Sequence, residues 1–136
     1  MIRILLSALL SAVMLSSCAK PVELASNFEK MSGHFVNAMR WQDFQGAAKF
    51  LVEDQREAFL QQFPRSKDLH VVDARFERIA RNEEAGEAET VLFIEYYLLP
   101  SVTITEWSWT QQWQRMDGSF TQEDIWLIQT SPPVFP

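Results

Sequence analysis

The chain has 136 residues, a net charge of −6 and a single cysteine. One domain of this size buries one core. An acidic balance excludes the basic footprint that nucleic acid requires, and it excludes electrostatic docking on anionic lipid. One cysteine excludes an internal disulfide.

The N-terminus carries Arg3 and then an apolar run from Ile4 to Leu15, "ILLSALLSAVML". As a helix this run spans about 18 Å, short of the roughly 30 Å core of a bilayer. A basic residue, an apolar stretch and small residues before a cut have the form of a secretory signal. The segment "LSSCAK" places Leu15, Ser16 and Ser17 directly before Cys18. It resembles the lipobox of bacterial lipoproteins. That resemblance implies cleavage after residue 17, thioether lipidation of Cys18 and acylation of its new amino group. Several acyl chains anchor stably where one does so only marginally. Residues 1–17 are therefore expected to be a signal peptide, 18–23 a lipidated tether and 24–136 the folded domain. Ala19 and Lys20 occupy the positions where an aspartate would imply inner-membrane retention, so the resemblance implies the periplasmic face of the outer membrane. Removing residues 1–17 leaves 11 basic against 18 acidic side chains, a net −7.

From Leu24 the apolar positions Phe28, Met31, Phe35, Ala38 and Met39 recur at helical spacing. Ser26 and Glu29 have the spacing of a capping box. After "RWQDF", Asp43 is an N-cap candidate for a second helix facing inward with Phe44, Ala47, Ala48 and Leu51. A third, "VEDQREAFLQQFP", offers Val52, Phe59 and Phe63 and stops at Pro64.

Beyond Lys67 the period changes to two. "HVVDARFERIA" aligns Val72, Ala74 and Phe76 on one face; "NEEAGE" is a turn. "AETVLFIEYYLL" is a long strand that Pro100-Ser101 turns, and "VTITEWSWTQQWQR" is the next. Val102 and Ile104 fall opposite Trp107, Trp109 and Trp113, which predicts a bulge near Thr105-Glu106. Asp117-Gly118 predicts a tight hairpin into "FTQEDIWLIQT", and "SPPVFP" cannot continue a strand. Helices followed by hairpin-linked strands make an α+β fold, with three N-terminal helices on a curved four-stranded antiparallel sheet.

"NAMRWQDFQGAAKFL", "EDQREAFLQQF" and "QQWQRMDGSF" with "IWLI" resemble the nuclear transport factor 2-like superfamily in pattern and order, from about Leu24 to Ile128. The resemblance implies a cone-shaped α+β fold that often forms a homodimer through the outer face of its sheet. Its members include isomerases, small cyclases and dehydratases as well as noncatalytic binding and assembly modules, so fold alone does not fix activity. No motif here matches the catalytic aspartates, histidines or tyrosines of the enzymatic members.

Candidate site residues are few. His34 and His70 lack a neighbouring carboxylate at a spacing suited to a general base. No ligand set for zinc is present, nor a glycine-rich phosphate loop or a Gly-x-Ser-x-Gly elbow, so no cofactor is expected. Asp43 is explained by capping. Glu95 shares a strand face with Val91, Phe93, Tyr97 and Leu99; buried, its pKa would rise as that of a base must. Trp107, Trp109 and Trp113 form a stripe that fits a core, a pocket lining or an interface, with Gln111 and Gln112 suited to its rim. The leading expectation is an envelope lipoprotein that binds a small apolar ligand in its cone or a protein partner through its sheet. The alternative is a cofactor-free isomerase or dehydratase using a pocket carboxylate such as Glu95.

Overall fold

The computed structural model describes residues 27–63, 67–118 and 123–135. Cys18, Leu24, the Ser26 half of the capping box and Pro64 lie outside them. The chain is α+β, with helical segments followed by an open four-stranded antiparallel sheet.

Helix α1 (Asn27–Arg40) buries Phe28, Ser32, Phe35, Val36 and Met39 along one side. Glu29 in its first turn and Arg40 in its last suit the helix dipole. It ends in a left-handed residue, Gln42, at φ 58°. That conformation is unfavourable for a residue with a Cβ, and the Gln42 side chain holds it by fastening to the first strand. Its Nε2 donates to Leu69 O at 2.8 Å, and its Oε1 accepts from Val71 N at 3.0 Å. Helix α2 (Phe44–Ala48) starts from Asp43, whose carboxylate accepts from Gly46 N at 2.9 Å. The cap lies so close that a Cβ at position 46 would fall 2.1 Å from Asp43 Oδ2, so a larger residue there would push the capping carboxylate aside. Phe44, Ala47, Ala48 and Leu51 are all buried, the face that helical spacing implies. Helix α3 (Glu53–Gln62) turns Phe59 inward, and Phe63 follows it into the core; Val52 is only half-buried.

Strands β1 (Leu69–Asn82), β2 (Glu87–Leu98), β3 (Thr105–Met116) and β4 (Ile125–Ile128) lie in chain order as a meander. Two details of β1 depart from simple alternation. Register shifts between Val71 and Asp73, and between Phe76 and Arg78, insert extra residues. Val71 therefore takes the inward place and Val72 is 47% exposed. Ala74 and Phe76 remain on the inner side, opposite Ile94 and Leu92 of β2. No bulge occurs at Thr105-Glu106: pairing between β2 and β3 is unbroken from Glu87↔Gln114 to Tyr96↔Thr105. Val102 and Ile104 lie before β3 and are exposed, so nothing has to re-aim the strand.

Asp117-Gly118 does not form a two-residue turn. Met116 pairs with Ile125, which leaves residues 117–124 as the connection. A tight turn would have set Asp124 opposite Gln111, inside the core. The observed register instead places Ile128 beside Trp113 and leaves Asp124 outside, where its carboxylate accepts from Gly118 N. The α2–α3 connection reinforces this choice: Ile128 N donates to Phe50 O at 2.8 Å, and Val52 N to Ile128 O at 3.1 Å.

The core between helices and sheet is mainly aromatic. Phe28, Phe35, Phe59, Phe63, Trp109 and Trp113 are almost wholly buried, and burying each such side chain is worth about 1.5–3 kcal/mol. The "SPPVFP" tail adds to it. Phe135 packs against Phe63 and Tyr96, with ring centroids at 4.6 and 4.7 Å. The Gln62 side chain fixes the tail from both sides, donating to Pro132 O and accepting from Phe135 N.

Candidate functional site

Alternation along β3 sends Trp107, Trp109, Gln111 and Trp113 to the inner face. All three tryptophans are buried. Trp113 meets Phe28 and Phe35 edge-on at 5.6 and 5.7 Å; Trp109 lies beside Phe35 and Phe59. Trp107 contacts Phe63 and Phe135, and its Nε1 donates to Val134 O at 3.2 Å.

Gln111 is not at a rim. It is fully buried among these rings, and its Oε1 accepts from Thr90 Oγ1 at 2.8 Å. Thr90 Oγ1 in turn accepts from Trp113 Nε1 at 2.9 Å. The three side chains form one interior relay, and Gln111 Nε2 and Trp109 Nε1 have no partner among the described residues. A glutamine amid tryptophans reads as a surface residue by type; only the even step from Trp109 to Trp113 signals that it points inward. Gln112 is exposed and donates to Glu89 at 2.7 Å.

Glu95 faces the other way. It pairs across the sheet with Asp73 and Glu106 and sits on the outer face, separated from the tryptophans by the sheet itself. Its nearest cation is Arg75, at 3.8 Å. Arg75 is the hub of this face. It donates to Asp73 at 2.9 Å, approaches Glu77 at 3.9 Å, and lies 4.4 Å over the Phe93 ring. The hydrogen bond from Arg75 is the main reason that the Asp73 carboxyl is held below the usual range, and Arg40 at 3.5 Å adds to it. The same bond raises the Arg75 pKa. Inside, burial pushes the Tyr96 hydroxyl up. The inner positions of β1, β2 and β3 carry no carboxylate, so the geometry that a pocket base needs is not assembled around Glu95.

The remaining candidates are dispersed. His34 is exposed on α1, and His70 stacks on Tyr97 at 4.8 Å on the outer face. Asp43 lines a surface hollow of about 520 Å³ with Trp41, Gln42 and Phe44, but its carboxylate is engaged as the cap of α2. Among the described residues, no group of three or more His, Cys, Asp or Glu side chains is placed to hold a metal ion. No helix among them is long and apolar enough to cross a membrane. No model of a known protein family matches the chain, and no curated protein matches it.

Proposed function

We propose that this chain is a noncatalytic binding and assembly module of the nuclear transport factor 2-like kind. Acyl chains on Cys18 hold it at the periplasmic face of a bacterial outer membrane, where it engages a protein partner through its sheet. One observation carries the choice of a protein over a small molecule: the space between helices and sheet is filled by rings and closed by Phe135. Ligand sites are ordinarily concave and open to entry, with a few convergent polar groups. Here the polar groups of the inner face bond mostly to each other. The carboxylates and arginines lie on the outer face, where a partner would meet them. The anchor rests on "LSSCAK" behind its apolar run, and the cone on the resemblance of "NAMRWQDFQGAAKFL" and the segments after it.

Cys18→Ser is expected to abolish labelling by fatty acid and move the protein from the membrane fraction to the soluble one; unchanged partition would overturn the anchor. Native mass spectrometry of protein released gently from its own membrane tests the rest. The expected spectrum shows the chain alone or with other polypeptides. A reproducible adduct of small-molecule size would overturn the filled-interior reading.

A further inference from the structure

Exposed apolar side chains are ordinary when scattered and informative when gathered. Here they gather at one end of the molecule. The connection from β2 to β3 runs through "LLPSVTI", residues 98–104, and no charged residue occurs from Tyr96 to Thr105. Leu98, Leu99, Val102 and Ile104 are all exposed, Val102 by 76%. Trp41, 79% exposed, lies at the same end: Gln42 beside it is fastened to Leu69 and Val71, and Leu69 pairs with Leu98. Val134 arrives with the tail, its carbonyl accepting from Trp107 Nε1 near the start of β3. Of the nine large apolar side chains exposed among the described residues, six are therefore at this end.

The opposite end holds the start of α1. Asn27 donates to Asp124 O, Phe28 packs on Trp113 and Trp126, and Trp113 pairs with Ala88 near the start of β2. The chain that leads back to Cys18 leaves from there. Nine residues of chain join Cys18 to Asn27, at most about 32 Å when extended. From Ala88 to Leu98 the strand advances ten residues, about 33 Å. An upright domain would strain that tether to its limit. One that leans over lets acyl chains on Cys18 and the apolar end meet a single bilayer.

The charged groups flanking the apolar end choose the lipid. Asp43, Lys67, Asp68 and Glu106 border it and are acidic in balance, so an anionic surface repels it and a zwitterionic one does not. An exposed tryptophan beside aliphatic side chains suits the boundary between headgroups and acyl chains.

We infer that the end formed by Trp41, Leu98, Leu99, Val102, Ile104 and Val134 is a contact surface for a zwitterionic bilayer, the same membrane that holds Cys18. The domain then touches its membrane at two points and keeps a fixed lean instead of swinging on its tether. This rests on the anchored reading and adds an orientation to it. Fatty-acid labelling of Cys18 reads the anchor alone, so the two can fail separately.

The test uses the full lipidated chain in phosphatidylcholine vesicles. Cys18 is the one cysteine of the chain and its sulfur is taken up by the thioether, so an introduced thiol is unique. Val102→Cys, and Glu84→Cys in the β1–β2 turn at the other end, each carry an environment-sensitive nitrobenzoxadiazole label. A lipid with a spin-label quencher on its acyl chain is expected to quench the label at 102 about threefold or more beyond the label at 84. Adding phosphatidylglycerol should weaken that quenching. Ile104→Glu sets a carboxylate on an exposed position. The variant should keep its unfolding midpoint and stay with the vesicles through its acyl chains, while quenching at 102 falls to the level seen at 84. Equal quenching at both positions, stronger quenching at 84, or quenching at 102 indifferent to Ile104→Glu would overturn the contact. Emission at 102 that shifts to the blue as protein concentration rises, before any vesicle is added, would overturn it in favour of a second copy of this chain.

Discussion

The two faces of the sheet are made of the same strands and do opposite work. On the inner face, Trp109, Trp113, Leu92 and Ile94 lose nearly all contact with water, and the polar groups Thr90 and Gln111 bond to each other. On the outer face, Asp73, Arg75 and Glu95 stay about a third or more exposed and share a dispersed set of contacts at 2.9–3.8 Å. The lesson is that opposite charges set across a sheet need not stabilise it. Exposed pairs contribute about 0–1 kcal/mol each, whereas one buried ring contributes several times that. The inner face carries stability, and the outer face keeps its charges available.

Substitutions on the two faces should separate widely. Trp113→Ala removes ring contacts to Phe28 and Phe35 and the hydrogen bond to Thr90. It should cost about 3–5 kcal/mol in chemical denaturation. A loss under 1 kcal/mol would break the contrast at its strongest point. Phe135→Ala should cost about 2–3 kcal/mol, less because the ring is only partly covered, and should red-shift tryptophan emission as Trp107 gains contact with water. Thr90→Val keeps the shape but leaves Trp113 Nε1 and Gln111 without their partner. About 2 kcal/mol is expected, the range for stranding buried polar groups.

The outer face should respond little. Glu95→Gln is expected to change stability by less than about 0.5 kcal/mol at neutral pH. Asp73 supplies the finest distinction, because its pKa in the fold is depressed. A depressed carboxylate stabilises fully above its unfolded pKa of about 3.9, and the contribution is lost as pH falls through the lower folded value. Urea midpoints of the parent and Asp73→Asn should therefore differ slightly at pH 7 and converge on acidification below pH 4. A gap that widens with acid would show the opposite linkage.

How much of this was legible in the chain depends on what fixes each feature. The α1 face at Phe28, Phe35 and Met39, the Asp43 cap and the tryptophan stripe follow from local spacing and local hydrogen bonds, and spacing is what a sequence displays. The companions of Glu95 along β2 were also legible. Which face they occupy was not, because that is decided by the burial of β3's tryptophans under distant helices. Val72 escaped because its extra place in β1 is a matter of pairing with β2, which no period reveals. Asp117-Gly118 has tight-turn chemistry, but the burial of Trp126 and Ile128 overrides it. Phe135 lies in a segment with no periodicity, and its role comes from Phe63 and Tyr96. Cys18, the most specific motif in the sequence, lies outside the described residues.

The Gln62 clasp on Pro132 and Phe135 spans sequence separations of 70 and 73 residues, and Asn27 of α1 reaches Asp124 across 97. The helices emerge first during synthesis, and their aromatic face has no cover until the last strands are made. Local contacts cannot nucleate such a core early, and chains of this kind fold slowly. The helical half is therefore committed to its final packing only when the C-terminal segments arrive, and the order of synthesis runs opposite to the order in which the core can close.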